Sequence, residues 1–194
     1  MNSIEQFLLF VALPGVVIAS LIEAAVLSYR RSCDWRAVAL SLFDLVARVA
    51  IRRLLPLTLA APLIAMAYQH RLTTIELNSA FAVLALFIGQ EFCYYGYHRA
   101  AHRVRWFWCN HSVHHSPNEL TLAAAYRIGI FGGLSGTALF FVPLVYLGFP
   151  PRIVFEVLTL NLLYQFWIHT TFRLKALATS SCPLSSWLTP RVLA

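Results

Sequence analysis

Apolar residues gather in five long runs along the chain, and less apolar segments of unequal length separate the runs. A helix needs about 20 apolar residues to cross a bilayer, and these runs reach or approach that length. The pattern therefore predicts an all-α fold, an integral membrane helical bundle with about four to five spanning helices. The runs occupy residues 6–28, 54–69, 79–97, 128–148 and 153–170.

Two segments depart from a simple spanning helix. The run 54–69 is short and contains Pro56 and Pro62, which favours a kinked or re-entrant segment. Residues 35–53 instead mix Leu, Val and Ala with acidic and basic side chains. This mixture is typical of an amphipathic helix at the membrane surface, so we expect residues 1–53 to form one membrane span followed by an interfacial helix.

The composition supports a membrane protein. Hydrophobic residues make up 59% of the chain and charged residues 12%, with a mean hydropathy of +0.68, whereas soluble domains are about one quarter charged. The net charge of +7 does not indicate nucleic-acid binding, because the basic residues flank apolar runs and form no basic stripe interleaved with aromatic residues. The four cysteines form no CxxC motif, so we expect free thiols.

The distribution of Lys and Arg predicts the orientation of the chain in the membrane. Thirteen of the fifteen lie in three segments, 29–53, 98–127 and the chain after residue 170, while the loops between them hold Arg71 and Arg152. Because basic loops stay on the cytoplasmic side, we expect these three segments to face the cytoplasm. A bacterial inner membrane and the endoplasmic reticulum membrane both have such a face.

The histidines are concentrated in one short stretch. Five of the seven fall between residues 98 and 115 in two groups, His98 with His102 and then His111 with His114 and His115. A spacing of four residues puts both members of a pair on one face of a helix. Neutral imidazole is the commonest protein ligand for zinc, iron and copper. The pattern therefore predicts a polynuclear metal site on the cytoplasmic side.

Polar residues inside two of the apolar runs are expected to contribute to the same site. Glu91 precedes His98 by seven residues, and a carboxylate within an apolar run is costly unless it serves a function. Asn161, Gln165 and His169 follow one another at four-residue spacing on one helix face. We expect His169 to be a sixth ligand and the other three polar side chains to bind the metal or to orient its ligands.

Other histidine chemistries fit this spacing less well. Zinc proteases place a general-base glutamate inside an HExxH motif, and Arg99 occupies that position here. Haem takes its axial ligands singly from facing helices, not from two adjacent groups. A metal transporter is a weaker alternative, because its ligands should lie near mid-membrane and on both sides. Here only His70 is expected on the opposite side, as an interface residue.

Two stretches of the sequence resemble the fatty acid hydroxylase and sterol desaturase superfamily. They are EFCYYGYHRAAH, which ends at His102, and HSVHHSPN, which begins at His111. The HxxxH and HxxHH boxes of that family are both complete here, and the residues around His169 resemble its single histidine on a later helix. The resemblance covers roughly residues 35–172.

The resemblance implies a membrane-bound non-haem di-iron oxygenase that hydroxylates or desaturates a C–H bond of a lipid (fatty acyl, sterol or related). The implied cofactor is iron, with zinc as another metal that imidazole binds, and O2 is the co-substrate. The lipid would come from the bilayer and electrons from a donor protein of the cytochrome or ferredoxin–reductase type. The implied metal ligands are His98, His102, His111, His114, His115 and His169.

One part of the family pattern is missing from the sequence. The family places a further HxxHH box shortly after the single histidine, but no histidine follows His169. We therefore expect residues 54–172 to form a fatty acid hydroxylase-like catalytic membrane domain and residues 173–194 to form a divergent or truncated tail. Such a tail predicts little or no lipid oxidation by this chain alone. The alternative function is a truncated, catalytically inactive metal-binding relative.

Overall fold

The structure, a computed structural model, describes residues 3–30, 32–54 and 60–170. Every regular element in these residues is helical, so the all-α prediction is confirmed. Residues 173–194, where a divergent tail is expected, lie outside the described part of the chain. The α-helices are α1 (Ser3–Phe7), α2 (Leu13–Tyr29), α3 (Trp35–Leu54), α4 (Ala61–Gln69), α5 (Ala80–Arg103), α6 (Arg105–His111), α7 (Leu122–Ala125), α8 (Val142–Leu147) and α9 (Pro151–Phe166).

The most apolar long helix lies near the N-terminus. A π-helical turn, Leu8–Ala12, runs directly into α2, and the two together form a helix of 22 residues with a mean hydropathy of 2.3. Among the residues that the structure describes, this is the one helix long and apolar enough to cross a membrane by length and composition. It coincides with the apolar run 6–28, the first span that the sequence predicts.

In the residues that the structure describes, two of the other apolar runs do not form long helices. The run 54–69 yields α4, which has nine residues. The run 128–148 breaks into turns, a 3₁₀ helix at Thr137–Phe141 and the six-residue α8. Gly136, whose φ is +77°, immediately precedes the 3₁₀ helix and interrupts the apolar run. The run 128–148 therefore differs from the continuous spanning helix that hydropathy predicts.

α4 and α8 instead pack against each other. The loops at their ends are joined by backbone hydrogen bonds, from Leu72 N–H to the Tyr146 carbonyl at 2.9 Å and from Ile75 N–H to the Gly148 carbonyl at 3.1 Å. Gly148 has a φ of +127°, and a Cβ there would collide with the Thr73 carbonyl. Only glycine fits this close approach, which holds the two loops at the same end of the bundle.

α3 begins where the sequence predicts. Asp34 Oδ1 accepts hydrogen bonds from the N–H groups of Arg36 and Ala37, at 2.9 and 3.2 Å, and so caps the helix. Its polar face is turned toward the protein and its apolar face outward, since Asp44 is 7% exposed while Phe43 is 68% exposed. Its polar side packs against α7 and the segment that follows it.

α5 sets the position of the candidate site. Ser79 caps its start, and the helix continues for 24 residues, a length of about 36 Å. His70 lies before its N-terminal end, whereas His98 and His102 lie in its last two turns. The helix therefore separates His70 from the other histidines, at opposite ends of the bundle.

Candidate metal centre

Consecutive elements bring the two histidine groups together. α5 ends at Arg103, and the extended backbone of Val104 (φ −108°, ψ 119°) leads the chain directly into α6. His111 is the last residue of α6, and the turn that follows carries His114 and His115. His169 follows α9, which packs against α5. The structure thus gathers all six predicted histidines at one end of the bundle.

Four histidine side chains converge on one point, with all their ligand atoms within 4.8 Å of one another, and we call them the four-histidine cluster: His98, His102, His111 and His115. Successive Nε2 atoms along this series are 3.1, 3.3 and 3.2 Å apart. A neutral ring nitrogen has either one proton or one lone pair, so the nitrogens of His102 and His111 cannot each form hydrogen bonds to two neighbours. A single cation would satisfy all four lone pairs.

His114 and His169 form a second group, which we call the histidine pair. Their Nε2 atoms are 3.3 Å apart. Each Nδ1 faces a backbone carbonyl oxygen, that of Arg127 at 3.3 Å for His114 and that of Gln165 at 2.8 Å for His169. Since a carbonyl oxygen only accepts, each Nδ1 carries the proton and the two Nε2 lone pairs face each other. This arrangement also suits a cation.

The environment keeps these imidazoles neutral. Burial, and then the surrounding histidines, lowers the pKa of His111 to about 3. Burial, followed by His169 and His115, lowers the pKa of His114 to about 4. The pKa of His115 is also lowered, again mainly by burial. At neutral pH these rings are uncharged, which is the form that binds a metal.

The four-histidine cluster has an aromatic wall and an open side. Trp108 stacks on His115 with an interplanar angle of 27° and a centroid distance of 5.7 Å, and its ring lies 5.6 Å from that of His102. Tyr97 meets His111 edge-on at 6.2 Å. His111 is buried, but His102 and His115 are exposed, so small molecules have access to the cluster. The histidine spacing gave no indication of Trp108, although it precedes His111 by one helical turn.

The predicted polar residues meet between α5 and α9. Asn161 Nδ2 donates to Glu91 Oε1 at 2.6 Å, and Gln165 Nε2 donates to Asn161 Oδ1 at 3.2 Å. Tyr94, which the pattern did not single out, donates from its hydroxyl to Gln165 Oε1 at 2.8 Å. Gln165 contacts His169 through its backbone carbonyl. Glu91 is bound to Asn161 and is not among the four side chains whose ligand atoms converge.

The carbonyl that orients His114 belongs to Arg127, and bonds to the residues on both sides hold it in place. Asn110 Nδ2 donates to the Ile128 carbonyl at 2.9 Å, and Asp44 Oδ2 accepts from the Ile128 N–H at 3.2 Å. On the other side of Arg127, the guanidinium of Arg48 on α3 donates to the Tyr126 carbonyl at 3.0 Å. The two contacts from α3 cross 84 and 78 residues of chain, and no local pattern predicts them.

A comparison with known families decides the classification. The family model for fatty acid hydroxylase matches residues 83–190, more than half of the chain. The chain belongs to the fatty acid hydroxylase family. This confirms the resemblance that the two histidine boxes indicate. All six predicted ligand histidines lie within the matched residues, whereas α2 and α3 precede them.

Alkylglycerol monooxygenases are among the proteins similar to this chain. The human protein is 38% identical over 102 residues, that of Xenopus tropicalis 35% over 102 and that of Danio rerio 39% over 93. The alignments cover 53%, 53% and 48% of the chain but only 22%, 22% and 20% of these relatives. The chain therefore matches about a fifth of their length. No solved structure is significantly similar to the chain.

Proposed function

We propose that this member of the fatty acid hydroxylase family is a membrane-bound, O2-dependent oxygenase that hydroxylates a C–H bond of an alkylglycerol or a related lipid. The observation that carries the proposal is the convergence of six imidazoles at one end of the bundle, four in the cluster and two in the pair. The names of the similar proteins favour an alkylglycerol substrate, and they favour hydroxylation over desaturation.

The donor set fits a di-iron site. The four-histidine cluster would hold one ion, and His114 with His169 would hold the other. Bound iron would supply the O2-dependent redox chemistry that attacks an unactivated C–H bond, which no side chain provides. Imidazole also suits zinc, but zinc has no redox chemistry. A zinc-loaded chain would therefore be inactive.

The chain's own residues hold the ligands in position. The carbonyls of Arg127 and Gln165 fix the proton of each paired histidine on Nδ1 and leave Nε2 free to bind metal. Trp108 covers one side of the four-histidine cluster and restricts water there. The exposed rings of His102 and His115 leave an opening through which O2 and the lipid would enter.

We propose that the chain passes through the membrane five times and that the histidines face the cytoplasm. The charge asymmetry supports this orientation, and α5 places His70 and the histidine boxes at opposite ends. α8 would complete its pass in non-helical backbone, which a membrane tolerates where the backbone is buried in protein. Residues 1–53 would add the first span and an interfacial helix to the catalytic domain, 54–172.

The surface beside the site suits an acidic electron donor. Arg99, Arg103 and Arg105 are exposed at the corner between α5 and α6, next to the four-histidine cluster. A positive surface attracts a negatively charged partner and orients it. We therefore propose that a donor protein of the cytochrome or ferredoxin–reductase type docks at this corner from the cytoplasm.

A second candidate function is a metal-binding membrane protein without turnover. The unequal division of the histidines favours it, because two imidazoles leave most of a metal's coordination positions to water or to groups outside the described residues. Residues 171–194 contain no histidine. In this case the four-histidine cluster holds one ion firmly and the pair holds a second one weakly.

Reconstitution of the purified chain in lipid distinguishes the two candidates. The chain is stripped with a chelator, reloaded with iron or with zinc, and supplied with an alkylglycerol, a reductase system and O2. Lipid oxidation that needs both iron and O2, and that zinc does not restore, supports the oxygenase. Metal binding without oxidation favours the second candidate, and a chain that binds neither metal contradicts both.

A further inference from the structure

A buried carboxylate outside the family match joins the two segments that carry the histidine pair. Glu23 lies on α2 and is 3% exposed. Its Oε2 accepts a hydrogen bond from the Leu122 N–H at 2.5 Å, and its Oε1 accepts one from Thr170 Oγ1 at 2.5 Å. These partners are 99 and 147 residues away along the chain. One side chain therefore connects three distant parts of the molecule.

One contact is beside a member of the histidine pair, and the other reaches the segment that orients the second member. Thr170 follows His169 in the sequence, so its bond to Glu23 holds the peptide beside that ligand. Leu122 begins α7, which leads through Ala125 into the segment whose Arg127 carbonyl orients the other histidine. A buried carboxylate in an apolar helix is costly unless it is hydrogen-bonded. The two bonds satisfy the carboxylate and fix these segments relative to each other.

We propose that Glu23 is a positioning residue of the metal centre, which sets the separation of His114 and His169 by binding Leu122 and Thr170 at the same time. The inference rests on the proposed function, in which the histidine pair holds the second metal ion. The four-histidine cluster takes all its ligands from residues 98–115 and does not depend on this carboxylate. α2 is then part of the metal centre as well as a membrane span.

The cavity beside Glu23 provides a matched control. It has a volume of about 100 Å³, and Asp34 and Glu119 also line it. Glu119 is exposed, whereas Glu23 is buried. Replacing Glu119 by Gln therefore removes a charge from the same cavity while both bonds of Glu23 stay in place.

The test compares Glu23→Ala, Glu23→Gln and Glu119→Gln by titrating iron into the metal-free, full-length protein in lipid. We expect Glu23→Ala to weaken binding of the second ion by about tenfold or more, as loss of ligand-supporting contacts does, with the first ion retained. Glu23→Gln should restore binding, because its amide oxygen accepts from Leu122 and its NH2 donates to Thr170. Glu119→Gln should bind both ions as the unmodified chain does. Wild-type affinity for both ions in Glu23→Ala would overturn the proposal.

Two further measurements decide the case in which Glu23→Ala loses both ions. Thr170→Val removes one bond with little change in shape, so selective loss of the second ion supports the proposal and equal loss of both overturns it. In the metal-free protein, diethyl pyrocarbonate should modify His169 faster in Glu23→Ala than in Glu119→Gln, and equal rates would contradict the proposal. An unmodified chain that binds no metal contradicts the proposed function instead, while the modification rates still test the contact.

Discussion

At the scale of single residues, the site is a set of neutral imidazoles whose protons are placed by backbone carbonyls. The Arg127 and Gln165 carbonyls leave the two paired Nε2 atoms without protons. In the four-histidine cluster, the Nε2 atoms lie so close together that hydrogen bonds between the rings cannot satisfy all of them. Both groups of histidines are therefore preorganised to bind a cation.

Acidification should destabilise the metal-free protein. The pKa values of His111 and His114, about 3 and about 4, lie below the usual 6.5. At a pH between the lowered and the usual pKa, the unfolded chain therefore binds more protons than the folded chain. Stability should accordingly fall as the pH drops below about 6.5 and continue to fall towards about 4. Thermal unfolding of the metal-free protein at several pH values measures this. His114→Asn should reduce the pH dependence, and a stability that does not change or that rises towards acid would contradict buried neutral imidazoles.

Which of these residues the sequence predicts depends on how local their contacts are. His98 and His102 were predictable because helical spacing brings residues four apart onto one face. His111 ends α6 and His114 and His115 lie in the turn after it, so closeness in sequence rather than helical spacing groups these three. Glu23 carries the same signal as Glu91, a carboxylate within an apolar run, but its partners are 99 and 147 residues away, so the sequence does not show what it binds. The contact of Trp108 with the cluster was not predictable either, because most aromatic residues serve only in packing and nothing in the sequence distinguishes this one.

At the scale of elements, the site depends on the irregular segment after α7 as much as on the long helices. Hydropathy located α3 and α5 well because their patterns are continuous over five or more turns. It did not locate the turns within 128–148, because apolar composition does not reveal where glycines reverse the chain. The Arg127–Ile128 backbone that Asn110 and Asp44 hold lies directly before these turns.

Gly129→Ala should damage the histidine pair through this segment. Gly129 has a φ of +83°, and a Cβ there would collide with the Asn110 side chain that holds the segment. We expect a loss of about 1 to 3 kcal/mol of folding stability and weaker binding of the second metal. Gly132→Ala is the control, since a Cβ at that position has nothing within 4 Å. Thermal unfolding and metal titration of both variants measure the effect, and equal behaviour would show that the segment does not need glycine.

At the scale of the whole molecule, two ends of the bundle have different chemistry. At one end, the loops around Thr73 and Gly148, next to α4 and α8, are joined by backbone hydrogen bonds. The other end carries six histidines and a group of exposed arginines. α5 separates these ends by about 36 Å, enough to cross a bilayer. The membrane orientation proposed from charge therefore follows the same axis as the separation of His70 from the site.

Cysteine labelling tests this orientation. Ser116→Cys and Thr73→Cys, each in a chain whose native cysteines are replaced, should react with an impermeant thiol reagent from opposite sides of the membrane. The position near the histidines should be reached from the cytoplasm, because the basic segments stay there. Labelling of both positions from the same side would contradict the five-pass arrangement.

The central claim is that the six histidines form a metal centre divided into four and two ligands, and the metal-to-protein ratio of the iron-loaded chain tests it most directly. We predict about two ions per chain, with roughly one fewer in His98→Ala and roughly one fewer in His114→Ala. His70→Ala should bind as much iron as the unmodified chain, because His70 lies at the other end of α5. Equal iron content in all four proteins would contradict the assigned centre.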